Sequence, residues 1–225
     1  MFIIALGLNI IGMLIFHGTM PTAGHTQSNF VESLKRWREW APQCVPFYIA
    51  TFINMIVLSA TVPTVLYIFN GKNVPITSPS STHPVLNHDF YFAIQNALQC
   101  VGDLIARKMI YSRMFQYFQA PQRRCVIYSS LIAWAVGAVL AFTKIGWATP
   151  IGMMLVFFGT GLIYAGGARH VEESVEANFG LIALSMWLFS GDVAGIIGAN
   201  LVDYTRELAC GSGNSSYTYV CLDRN

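Results

Sequence analysis

Six runs of apolar residues, each near the length that crosses a bilayer, leave this chain few alternatives. Hydrocarbon about 30 Å thick needs about 20 residues of helix. The runs are Met1–His17, Val45–Asn70, Phe90–Ser112, Cys125–Phe142, Thr149–Gly167 and Asn178–Asp203, with charges, prolines and polar residues gathered between them. Lipid offers no partner to backbone N–H and C=O groups, so such runs must be helices. Of the 225 residues, 54% are hydrophobic and only 11% charged, far from soluble usage. The expected fold class is all-α: a polytopic transmembrane helical bundle of about six spans.

The chain divides into a first span (1–17), a basic loop (18–44), a five-span bundle (45–203) and a tail (204–225). The first run carries no basic n-region and no small-residue cleavage site near Gly18–Gly24, which favours a retained span over a signal peptide. Loops on one side carry Lys35, Arg36, Arg38, Lys108, Arg113, Arg123, Arg124 and Arg169, whereas the other side has Lys72, Lys144, Arg206 and Arg224. Basic loops stay on the cytosolic or matrix side. Both termini are therefore expected on the opposite side.

In that tail Cys210 and Cys221 bracket a Gly/Ser-rich stretch and are a candidate disulfide, while Cys44, Cys100 and Cys125 read as small apolar residues. Asn214-Ser215-Ser216 fits a glycosylation acceptor. A net charge of +2 argues against nucleic acid as a partner.

Polar residues inside spans carry the most information, because each is costly in hydrocarbon. Asn96, Gln99, Asp103 and Arg107 recur at intervals of three, four and four and so share a helical stripe, with Val101, Leu104 and Ile105 elsewhere on the helix. Asp103 and Arg107 can pair within one turn, either as a structural lock between helices or as a pair that contacts substrate. Pro63 is expected to kink the second span. Gly191, Gly195 and Gly198 form a small face for close packing in the last span, with Asp192 beside it.

The last five spans resemble, in order, the last five of the equilibrative nucleoside transporter family. Leu58-Ser59-Ala60-Thr61-Val62-Pro63 is similar to the end of that family's seventh span. Asp103-Leu104-Ile105-Ala106-Arg107 resembles the Asp-x-x-Gly-Arg of its eighth, with Ala106 in place of glycine and Cys100 where the family has Asn. Gly159–Gly167, Val171–Glu176 and Gly180–Gly195 resemble its glycine-rich tenth span, acidic junction and eleventh span. The resemblance covers Lys35 to Tyr204 and implies half of a major-facilitator-like transporter, in which Asp103 and Arg107 line a nucleoside pathway.

Half of such a carrier encloses no cavity, because the pathway runs between two bundles. The expected function is accordingly a non-catalytic accessory subunit packed among other membrane subunits and lipids, with a respiratory complex of the mitochondrial inner membrane preferred over the plasma membrane. The alternative is half of an equilibrative nucleoside or nucleobase transporter, completed by another chain or a fragment of one. No enzyme, cofactor or metal is expected: there is no phosphate loop, no His-Glu-x-x-His and no paired Cys-x-x-Cys. The histidines His17, His25, His83, His88 and His170 lie mainly in loops or at span ends.

Overall fold

The computed structural model describes residues 30–77, 84–112, 123–211 and 221. The expected first span, the loop residue Arg113 and the Asn214 acceptor lie outside them. Helices hold 84% of the described residues. In order they are α1 (Phe30–Lys35), α2 (Trp37–Ile68), α3 (His88–Tyr111), α4 (Arg123–Ala141), α5 (Ala148–Ser174), α6 (Ala177–Asn200) and α7 (Val202–Cys210).

Among the described residues four helices, α2, α4, α5 and α6, are long and apolar enough to cross a membrane. Helix α3 is long enough at 24 residues, but its Gln, Asn, Asp, Arg and Lys side chains leave it less apolar than these four. Large apolar side chains stand exposed on the outside of the helices: Ile132 and Val139 on α4, Leu181, Phe189 and Ile196 on α6, Leu104 on α3. Water would penalise so much exposed hydrocarbon, whereas lipid does not. The protein is an integral membrane protein of multi-pass helical type.

Helix α5 sits at the centre, with α3 and α4 packed along it. Helix α2 leans on α5 and α4 and carries α6 on its other side. Helices α2 and α6 run parallel: Trp40 and Cys44 meet Val175, Phe179 and Ile182 at one end, and Ile56 meets Gly198 further along. Near the other end of α2, Ile68 and Phe69 bury with Tyr91 and Phe92 of α3 and with Met153 of α5.

Two boundaries depart from expectation for packing reasons. Helix α2 begins at Trp37 rather than Val45, running through Pro42 and Pro46. Trp40 and Cys44 are almost wholly buried, and the Trp40 indole donates to the Ser33 carbonyl at 3.1 Å, so tertiary contacts hold a segment whose charges read as loop. The helix also continues through Pro63, with Thr64 Oγ1 donating to the Ala60 carbonyl at 2.7 Å. Helix α5 continues to Ser174, leaving only Val175 and Glu176 before α6.

The α2–α3 connection contains a short antiparallel ribbon that the all-α reading did not foresee, β1 (Asn73–Pro75) against β2 (Val85–Asn87), with Val74 opposite Leu86. Trp147 N–H donates to the Ile76 carbonyl at 3.1 Å, tying the ribbon to the start of α5. At the same end Cys210 and Cys221 are disulfide-bonded. The Cys221 N–H donates to the Ile68 carbonyl at 2.8 Å, supplying one orphan acceptor at the C-terminus of α2.

Candidate functional site

The α3 stripe divides when the helix packs. Gln95, Gln99, Gly102, Ala106 and Ile110 form the buried face, which lies against α5. Asn96, Asp103 and Arg107 stand at its edge: Asn96 is exposed, and the side chains of Asp103 and Arg107 are 24% and 50% exposed. Gln99 and the charged pair therefore occupy different surroundings, although their spacing places them on one stripe. The cause is angular, since Gln99 lies about 40° from Asp103 around the helix and falls just inside the contact.

Arg107 Nε donates to both carboxylate oxygens of Asp103, at 3.0 and 2.8 Å. Close approach of α5 fixes the aspartate's position. A Cβ at Gly161 would lie 2.7 Å from the Asp103 carbonyl and 2.8 Å from the Ala106 methyl, so only glycine permits this contact.

The Arg107 guanidinium sits over the Tyr164 ring of α5 at 5.9 Å. Tyr164 extends away from α3 across the bundle: its hydroxyl donates to the Met55 sulfur of α2 at 3.3 Å, and its ring meets the Trp187 ring of α6 at 5.2 Å. Trp187 is buried and donates from Nε1 to Thr51 Oγ1 at 2.6 Å. Helices α3 and α6 thus form two walls of a furrow whose floor is α5 with Tyr164. Asp192 stands on the α6 wall and is exposed. It lies next to Gly191, whose Cβ position is 3.7 Å from the Tyr164 hydroxyl.

The glycine face of α6 does not act as a unit. At Gly198 a Cβ would come 2.6 Å from the Ile56 carbonyl of α2, but at Gly195 and Gly191 the nearest atoms are 3.6 and 3.5 Å away. The close approach is made at Gly198 alone of the three.

Sequence reasoning passed over Tyr164, Trp187 with Thr51, and a buried polar link between Asn54 and Thr160 of 2.9 Å. Thr160 also donates to the Val156 carbonyl at 2.9 Å. A hydroxyl has one proton, so the pair is satisfied when the Asn54 amide donates instead. The one usable signal was the pair Thr160 and Tyr164, polar side chains among the glycines and aliphatics of Gly159–Gly167. Further along α5, His170 stacks on Phe47 at 4.8 Å and bonds the Gln43 carbonyl at 2.9 Å, which marks it as a helix-packing residue. Among the described residues no group of His, Cys, Asp and Glu is arranged to hold a metal ion.

The chain matches no protein-family model, no curated protein and no solved structure. The resemblance to nucleoside carriers therefore rests on the residues that carry it.

Proposed function

We propose that this bundle is one wall of a facilitative pathway for a polar, hydroxylated solute of the nucleoside class, and that a second helical bundle, on the same or another polypeptide, closes it. The observation that carries this reading is the partly exposed Asp103–Arg107 pair on the furrow edge above an aromatic floor, in a bundle whose outer faces carry many large apolar side chains. A carboxylate held in this way accepts hydroxyl donors, a guanidinium with free N–H groups donates to carbonyl or ring-nitrogen acceptors, and an aromatic floor stacks a base. Intramembrane charges of this kind characteristically face a pathway or a partner rather than lipid. The basic ends of α1 and α2 belong, on this reading, to the cytosolic or matrix side.

One observation favours the accessory-subunit reading instead. Arg107 and Asp103 already neutralise each other, so a neighbouring subunit can cover the pair with no solute present.

Photolabelling of the purified chain with 8-azidoadenosine separates the two. The carrier reading expects label on α3 or α5 peptides, competed by uridine. Loss of hydrogen bonds to a charged group is worth about 1.5–3 kcal/mol, so Arg107→Ala should weaken labelling about tenfold or more. Label that ignores uridine or Arg107→Ala overturns the carrier reading and leaves the scaffold. In liposomes the bundle alone should give no saturable uptake of labelled adenosine or uridine. Uptake abolished by Arg107→Ala would refute the need for a second bundle.

A further inference from the structure

We propose that an anionic phospholipid binds along the exposed flank of α2, with its phosphate held by Arg38 and Lys35 and its acyl chains on the apolar stripe below them. The inference stands apart from what the furrow carries, because Thr51 and Asn54, which reach α6 and α5, lie on another side of α2.

Three observations lead there. The first is the stripe. Arg38, Pro42, Val45, Ile49 and Ile53 recur at intervals of four, three, four and four, so they share one face of α2, and all five are exposed. Below Arg38 that face is wholly apolar. Helix α2 has 32 residues and is about 48 Å long, against about 30 Å of hydrocarbon. Shared between the two ends, the excess puts Arg38 about 7 Å outside the hydrocarbon, in the headgroup layer.

The second is charge. The cations at the start of α2 fall into two sets. Arg36 donates to Glu39 and lies over the Phe179 ring of α6 at 5.0 Å, and Glu32 and Glu176 gather on its side. Lys35 and Arg38 are exposed, and among the described residues no carboxylate lies within salt-bridge distance of either. Two positive charges therefore stand free at the head of an apolar stripe, which is the complement of an anionic headgroup on its acyl chains.

The third is the aromatic beside them. The Arg38 guanidinium sits over the Trp37 ring at 5.7 Å, and Trp37 and Leu34 are exposed at the same level. Tryptophan belongs at the headgroup boundary, where its ring meets the glycerol region. A guanidinium held over a ring keeps N–H groups for phosphate oxygens, and Lys35, three residues earlier, adds a point charge.

The test is native mass spectrometry of the purified full chain, incubated in detergent with an equimolar mixture of phosphatidylglycerol and phosphatidylcholine. One phosphatidylglycerol should be retained in preference to phosphatidylcholine. Arg38→Gln and Lys35→Gln should each reduce that preference about fivefold, the worth of one cation near an anionic headgroup. Arg124→Gln removes the same charge from the exposed start of α4 and should leave the preference unchanged. Thermal unfolding of each variant confirms that it folds. Equal retention of the two lipids by the wild type overturns the proposal, and so does equal loss in Arg38→Gln and Arg124→Gln, which would make the attraction diffuse. Displacement of the lipid by inorganic phosphate at constant ionic strength would give the two cations to a soluble anion. A lipid-free dimer in place of a lipid-bearing monomer would give the stripe to a second copy of the chain; either result removes the lipid.

Discussion

Replacing Gly198 by alanine tests whether α6 is held on α2 by one close backbone approach or by a general small-residue face. The added methyl would meet the Ile56 carbonyl at 2.6 Å and the Ser59 Cβ at 2.9 Å. Ordinary contact begins at 3.4 Å, so the methyl is about 0.8 Å too close to main chain that cannot rotate away. Overpacking of this kind costs about 1–3 kcal/mol, with the upper end expected where the obstacle is backbone. Alanine is better than glycine in a helix by about 1 kcal/mol, which leaves a net loss of about 2 kcal/mol. At Gly195 the nearest atom is 3.6 Å from the added methyl, so the same substitution fits and keeps the propensity gain of about 1 kcal/mol. For a chain of this size each kcal/mol moves Tm by about 2–4 °C. Gly198→Ala should therefore lower Tm by about 4–8 °C and Gly195→Ala raise it by about 2–4 °C. The assay is thermal unfolding in detergent with a thiol-reactive dye, for which the wholly buried Cys44 is the reporter once the exposed Cys100 and Cys125 are replaced by serine. Equal destabilisation by the two substitutions would refute the reasoning.

Reducing the Cys210–Cys221 disulfide, which spans a sequence separation of 11, should lower stability by about 3 kcal/mol through loop entropy, seen as a reductant-dependent fall in Tm that Cys221→Ala reproduces and abolishes. Trp187→Phe leaves the buried Thr51 hydroxyl without its indole donor and should cost about 1–3 kcal/mol; adding Thr51→Val should cost less than the sum of the two singles, and additive losses would show that the 2.6 Å bond contributes nothing. Single cysteines placed at Arg38 and at Glu207 should react with an impermeant maleimide from opposite sides of sealed vesicles, because α2 begins at one end of the bundle and α7 packs at the other; reaction from one side sinks the topology.

Apolar run length placed the five long helices α2 to α6 in advance, because a helix lets one apolar segment satisfy its own backbone in lipid. It located α3 to within two residues at its start and one at its end, and it paired Asp103 with Arg107, since an interval of four residues on a helix is a local property. Charge counting fails at the start of α2. Trp37 to Cys44 reads as a charged, proline-bearing loop, and only burial of Trp40 and Cys44 against α6 makes it helix. The division of the α3 stripe, the choice of Gly198 over Gly195, the ribbon at Val74 and the meeting of Arg107, Tyr164, Trp187 and Asp192 are all non-local. Each depends on the distance and rotation between two helices far apart in the chain, quantities set by how side chains interlock across the contact and encoded in no single segment.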